Sequence, residues 1–260
     1  MIKKGITLPE SFPPIPSTTL KIHELFASSK IDNDELVSLL QSDPFLCATM
    51  LKMANSPFYA RSQAITSINH AISILGLTMV RGMVMAAALR TNYPSDLTPY
   101  GLTVESLTAV ALQQSQLFKC WYKDDNATIR HLESAIFLME SGKLILSDLM
   151  TKQGFNEIFI YESQKLGFDE AELDICGMTS FVVASLLFQS WNYGHDFCDR
   201  LAKIGHPTTT DEAILTAIHY AIPLNGRMDQ ASKEKALQYI DQFELPKQTF
   251  LDAYEQMLQC

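Results

Sequence analysis

The most apolar segment near the middle of the 260-residue chain runs from Leu132 to Leu149 and reads LESAIFLMESGKLILSDL. Its apolar residues recur every three or four positions and also fill most of the other directions, which is typical of a helix enclosed by other helices. Glu140 interrupts the pattern, because it lies one helical turn from both Phe137 and Leu144. A buried carboxylate needs a partner or a function. The segment therefore predicts a central helix in which Glu140 is a metal ligand or a member of an ion pair.

The overall charge argues against a nucleic-acid partner. The chain has 20 Lys+Arg against 29 Asp+Glu, a net charge of -9, and its basic residues do not cluster, whereas phosphate binding requires a basic patch. No apolar run of about 18 residues is present to span a bilayer, and no apolar run follows Lys3 and Lys4 as in a signal peptide. We therefore expect no membrane insertion and a cytoplasmic location.

The cysteines predict neither a zinc site nor a disulfide framework. They are odd in number, widely spaced, and contain no C-x-x-C pair. We expect reduced thiols that fill space within helices. The five cysteines are Cys47, Cys120, Cys176, Cys198 and Cys260.

Helix start and stop signals recur along the whole chain. We expect Ser17 or Thr18, Asp32, Asp43, Ser67 and Thr78 to cap successive helices, with Pro44 at a first helical position and Gly76 as a break. No run of alternating β-branched residues is long enough for a sheet, so the predicted fold class is all-α. Beyond residue 78 the predicted helices cover about 79–90, 104–121, 132–149, 155–165, 169–175, 178–191, 194–204, 211–222, 230–242 and 247–258.

A polar linker from Asn92 to Pro99 divides the predicted helices into two groups. We place a subdomain boundary there. The prediction is an N-terminal helical subdomain over 1–92 and a second helical subdomain over 100–260.

Three segments in the first ninety residues read FPPIPSTTLKIHELF, LLQSDPFLCATMLKMANSPFYA and ITSINHAISILGLTMVRGMVM. Together they resemble the HDOD family, which comprises bacterial signalling domains related to the HD phosphohydrolases. The resemblance implies a single HDOD unit over 1–260, built as a multi-helix HD-like bundle with a degenerate HD-type second half. The signature positions are expected to specify fold rather than chemistry, and they are Asp43, Pro44, Asn55, Ser56 and Gly76.

The same resemblance identifies a metal pocket that has lost its ligands. Catalytic HD relatives present a His-Asp pair to divalent metals, and the register set by Gly142-Lys143-Leu144 places Met139-Glu140 at that position. A thioether is a poor ligand for magnesium, manganese or iron. The other positions that carry His or Asp in metal-binding relatives hold Glu105, Ser180, His206 and Ile222. The resemblance therefore implies no catalytic residue, no metal and no cofactor, and leaves these six positions as a vestigial cleft for a ligand or partner.

A second metal site is conceivable at His195-Asp196, the literal HD dipeptide, together with His131, His206 and His219. However, the dipeptide follows a turn and is expected to begin a helix outside the pocket, where Asp196 interacts favourably with the helix dipole. Glu140 is then expected to pair with Lys143 at i+3 or with a neighbouring polar group. The chain has no G-x-S-x-G, P-loop or G-x-G-x-x-G motif.

The function predicted from the sequence is a non-catalytic signal-transduction module that binds signalling proteins or a small molecule. Two alternatives stay open. One is a metal-dependent phosphohydrolase or phosphodiesterase with an atypical ligand set, and the other is a nucleotide second-messenger sensor that does not hydrolyse its ligand.

Overall fold

A computed structural model of the chain describes residues 5–28, 31–56, 59, 64–93 and 96–259. Within these ranges the regular secondary structure is entirely helical, which confirms the all-α prediction. Two short 3-10 helices cover Thr98–Tyr100 and Met139–Ser141. The α-helices are α1 Ser17–Ala27, α2 Asn33–Gln41, α3 Pro44–Ala54, α4 Ile68–Leu75, α5 Leu77–Asn92, α6 Val104–Trp121, α7 Asn126–Leu138, α8 Gly142–Gln153, α9 Asn156–Leu166, α10 Phe168–Cys176, α11 Ser180–Ser190, α12 His195–Ala202, α13 Thr210–Ala221, α14 Gln230–Gln242 and α15 Lys247–Leu258.

Three helices begin at the caps predicted from the sequence. The Asp32 carboxylate accepts hydrogen bonds from the first backbone amides of α2, and Asp43 does the same for α3, where Pro44 is the first helical residue. Ser67 caps α4 in the same way. These side chains satisfy amides that have no partner within their own helix.

Two cap predictions are wrong. Helix α1 begins at Ser17 itself with Pro16 at the cap position, so neither Ser17 nor Thr18 serves as the cap. Helix α5 begins at Leu77, one residue before the predicted cap Thr78. Gly76 ends α4 and precedes α5 directly, and its φ of 82° lies in the left-handed region that glycine adopts without strain.

Asn55 links the end of α3 to the segment that leads into α4. Its Nδ2 donates to the carbonyl oxygens of Leu51 and Ile65, each at 2.8 Å, and its Oδ1 accepts from the backbone N of Ile65, also at 2.8 Å. Ser56 continues this turn with a backbone hydrogen bond to Met53. Asn55 therefore has a structural role that accounts for its presence.

The central apolar segment was predicted to be one helix, but the structure divides it into two helices joined by a short turn. Helix α7 ends at Leu138, the 3-10 turn Met139–Ser141 follows, and α8 begins at Gly142. The break coincides with a close approach of two backbones, because a Cβ on Gly142 would lie 1.8 Å from the carbonyl oxygen of Ser180 in α11. The predicted enclosure is confirmed, since every residue from 132 to 150 is buried.

The buried side chains from both halves of the chain form one contiguous hydrophobic core. Helix α7 lies at its centre, packed against α5 and α6, and α8 packs against α11. Leu97, within the predicted linker, and Tyr100, directly after it, belong to the same core. The division into subdomains 1–92 and 100–260 therefore stays a prediction.

Over the part of the chain that the structure describes, no single helix is long and apolar enough to cross a bilayer. Two sharply bent pairs, α4 with α5 and α10 with α11, reach that length and composition only when joined. The described cysteines lie within helices as expected, three buried and Cys47 half-buried, while Cys260 is outside the described residues.

Candidate functional site

The structure gathers only some of the six predicted pocket positions. Met139, Glu140, Ser180 and Ile222 are buried, with at most 1% of each residue exposed. Glu140, Ser180 and Ile222 share one polar network. The other two positions lie apart from it, for Glu105 is exposed in the first turn of α6 and His206 is exposed in the loop after α12. The structure therefore does not bring Glu105 and His206 together with the other four positions.

Glu140 lies at the centre of this buried network, which we call the Glu140 cluster; it comprises Glu140, Lys143, Gln114, Tyr100, Asp169, Glu172, Ser180, His219 and the Ile222 carbonyl. One carboxylate oxygen, Oε1, lies 3.0 Å from Gln114 Nε2 and 2.6 Å from His219 Nδ1. The other, Oε2, forms an ion pair with Lys143 Nζ at 2.8 Å without the angles of a hydrogen bond. Gln114 also donates to the Ile222 carbonyl at 3.1 Å. The predicted i+3 pairing of Glu140 with Lys143 is present.

Lys143 links the 3-10 turn to α10 and α11. Its fully buried ammonium group donates to Ser180 Oγ at 2.9 Å and lies 3.8 Å from Glu172 Oε1. Glu172 in turn accepts from the Tyr100 hydroxyl at 2.8 Å and from the Ser180 backbone N at 2.5 Å. The cation therefore lies between two carboxyl groups that belong to different helices.

His219, in α13, occupies the opposite side of Glu140. Its Nε2 lies 3.2 Å from Asp169 Oδ2, so the imidazole bridges two carboxylates. The Tyr220 hydroxyl donates to the same oxygen of Asp169 at 3.3 Å. An imidazole between two carboxylates donates from both nitrogens when it is protonated.

The pKa values agree with a set of internal ion pairs. Burial alone would raise the pKa of Glu140, but Lys143 and His219 outweigh that effect and lower the pKa to about 2. Burial alone would lower the pKa of His219, but Glu140 and Asp169 raise it to about 9. The pKa of Lys143 is raised because its carboxylate neighbours outweigh its burial. At neutral pH the cluster therefore holds two cations against its carboxyl groups.

This donor arrangement does not fit a divalent metal. Both oxygens of Glu140 face cations or a donor, and His219 uses both ring nitrogens toward carboxylates. A metal ion near Glu140 would also meet the positive charges of Lys143 and His219 at close range. Over the described residues no three His, Cys, Asp or Glu side chains are arranged to hold a metal ion.

The alternative centre at His195-Asp196 lies on the surface. Both residues are exposed at the start of α12, which begins at His195 as predicted. His131 is half-exposed and pairs with Asp211 at 2.9 Å, and Arg200 donates toward the same imidazole at 3.1 Å. The structure therefore does not bring His131, His195, His206 and His219 into one site.

Sequence reasoning missed four members of the Glu140 cluster. Gln114, Asp169, Glu172 and Tyr100 come from separate helices or turns, and local spacing does not connect them. The available signal was a polar residue on a buried helical face, as for Gln114 within α6. His219 was named as a conceivable ligand of a second metal site, with a structural role favoured, but its pairing with Glu140 was not predicted.

Fold and site together define an all-α, HD-like protein in which internal ion pairs fill the region around Glu140. The HDOD domain family matches residues 12–207. The chain belongs to this family. A search of curated proteins found no match.

Solved structures share the fold at low identity. A Marinobacter aquaeolei VT8 protein provisionally named for signal transduction has a TM-score of 0.69 at 20% identity, and the match covers 99% of this chain. This chain spans only 60% of that protein's length.

Two further structures are matched over most of their length. A provisionally named phosphohydrolase from Shewanella amazonensis SB2B has a TM-score of 0.70 at 16% identity, covering 95% of this chain and 90% of that one. An HDOD domain protein of unknown function from Geobacter sulfurreducens has a TM-score of 0.59 at 19% identity, covering 95% and 93%. At these identities the likeness concerns the fold alone.

Proposed function

We propose that this chain is a non-catalytic regulatory module of signal transduction that acts by binding a partner protein or a small molecule, without nucleic acid and without membrane insertion. One observation carries the proposal. Lys143 and His219 lie against Glu140, at the position where a catalytic HD relative would present its metal ligands. The cations already neutralise the carboxylates that a metal would need, so the pocket supports binding rather than metal-assisted hydrolysis.

The first test measures metal content and hydrolysis. The purified chain is incubated with manganese, iron or zinc, dialysed, and analysed for bound metal and for cleavage of bis(p-nitrophenyl) phosphate and cyclic dinucleotides. We expect background metal and no turnover, both for the native chain and for Glu140→Gln. The phosphohydrolase alternative would be correct if stoichiometric metal were bound and accompanied cleavage of a phosphodiester.

The second test separates ligand sensing from protein binding. The melting temperature of the chain is measured with each member of a panel of nucleotides and second messengers. A ligand that binds only the folded state raises the apparent melting temperature. A concentration-dependent rise with one nucleotide or second messenger, without its hydrolysis, would identify a sensor. No shift across the panel would favour a protein partner.

A further inference from the structure

A cavity beside the Glu140 cluster opens between α3, α5 and α6 and reaches the 3-10 turn, where Glu140 forms part of its floor. It encloses about 60 Å³ and is lined mainly by apolar side chains. Alanines leave space along two of its walls, Ala86 and Ala87 from α5 and Ala111 from α6. Cavities of this kind, largely apolar with a few polar groups, are the usual form of a small-molecule site.

The floor of the cavity contains an unsatisfied hydroxyl. Ser141 lines the cavity, is 8% exposed, and its Oγ has no hydrogen-bond partner among the described residues. A buried polar group without a partner costs about 1–3 kcal/mol, so such a group needs an explanation. A ligand that donates to or accepts from this oxygen would remove the cost.

The charges around the cavity select a neutral ligand. At the rim, the Arg90 guanidinium lies 3.4 Å from the centre of the Phe45 ring and 3.9 Å from Asp43 Oδ2, with Glu105 within electrostatic range. At the floor, Glu140 lines the cavity. Arg90 is already paired with Asp43, and Glu140 is already paired with Lys143 and His219, so neither end offers an unpaired charge to attract a charged molecule.

The volume limits the buried part of the ligand. An apolar cavity that admits benzene measures about 150 Å³, whereas this cavity measures about 60 Å³, so only a short alkyl segment of a ligand would be buried in it. We infer that this cavity binds a compact neutral molecule with a short apolar chain and one hydrogen-bonding group directed at Ser141. The inference rests on the proposed function, because it supplies the ligand of a binding module.

The probes are four small molecules of similar size, with the binding read from amide chemical shifts. They are 1-butanol, butyrate, n-butylammonium and 1-chloropropane. We expect 1-butanol to give saturable shifts around Ser141 and Ala87, and butyrate and n-butylammonium to bind at least about tenfold more weakly. Absence of saturable shifts with 1-butanol, or equal binding of butyrate, would overturn the inference.

Two variants locate the binding. Ala87→Leu fills the cavity from a half-buried helical position and should abolish binding, whereas Ala127→Leu, at an exposed position in α7, should leave it unchanged. Ser141→Ala should weaken 1-butanol about three- to tenfold, the usual effect of one hydrogen bond, and leave 1-chloropropane unchanged. Binding that survives Ala87→Leu, or equal effects of Ser141→Ala on both probes, would contradict the assignment.

The two proposals fail in different ways. Hydrolysis of a phosphodiester by the metal-loaded chain would refute the non-catalytic function whatever 1-butanol does. Failure of 1-butanol to bind, with metal and hydrolysis at background, would refute only the ligand site.

Discussion

Raising the pH should destabilise this protein through His219. The folded state holds the imidazole proton up to a pKa of about 9, whereas the ordinary value is 6.5. Burial opposes the protonated form, but Glu140 at 2.6 Å and Asp169 at 3.2 Å outweigh it. Between these two pH values the folded chain binds more protons than the unfolded chain, so the free energy of unfolding falls as the pH rises.

The expected loss follows from the two pKa values. A pKa moved from 6.5 to about 9 contributes about 3 kcal/mol, present in full below pH 6.5 and lost as the pH passes 9. The exposed fraction of His219 is small, at 6%, so solvent screens the interaction little. The groups that face it are Glu140, Asp169 and, beyond Glu140, Lys143, whose raised pKa keeps it charged across the window.

Urea unfolding at half-unit pH steps from 6 to 10 measures the effect. The native chain should lose stability across this window, and His219→Gln should lose most of the slope, whereas His195→Gln, altered at an exposed imidazole, should keep it. If His219→Gln does not fold, an NMR titration of the native imidazole resonances gives the pKa directly. A flat native profile, a slope retained by His219→Gln, or titration of the His219 imidazole near 6.5 would refute the reasoning.

Three further substitutions test the packing around the site by urea unfolding at pH 7. Lys143→Met should cost about 3–5 kcal/mol because it leaves buried carboxylates without their cation, and adding Glu140→Gln should recover part of the loss; purely additive effects would contradict the ion pair. Gly142→Ala should lower the free energy of unfolding by about 3 kcal/mol, because the new Cβ would overlap the Ser180 carbonyl oxygen. An unchanged urea midpoint would contradict that close contact. Asp43→Ala should cost about 1 kcal/mol through loss of the α3 cap, with Asp43→Asn retaining most of the stability.

Local sequence signals predicted the boundaries of several helices. Helix α6 begins and ends at Val104 and Trp121 as predicted, and α3 begins after Asp43. The break at Met139–Ser141 was not predictable in this way, because it accompanies a contact of Gly142 with α11, which comes later in the chain. Periodicity along one segment contains no information about which backbone will pass against it.

The candidate site shows the same division between local and distant information. The pairing of Glu140 with Lys143 follows from their i+3 spacing and was predicted. Matching to the family pattern selected Glu105 on α6, whereas the residue of α6 that reaches Glu140 is Gln114, about two and a half turns further along. The packing of α6 against α7 and α13 determines which part of α6 faces the cluster. The sequence of α6 alone does not show this.

Stability alone is a weak explanation for the Glu140 cluster. Replacing a buried ion pair by apolar side chains of similar volume is often neutral or stabilising, so a chain selected only for stability could dispense with these charges. The ion pairs and hydrogen bonds instead fix the orientation of the 3-10 turn. Through Gln114, Lys143 and His219 they hold this turn relative to α6, α10, α11 and α13. The same turn carries Ser141 into the apolar cavity. A ligand that moves this turn would therefore act on several helices at once, which is the coupling that a binding module needs in order to transmit a signal.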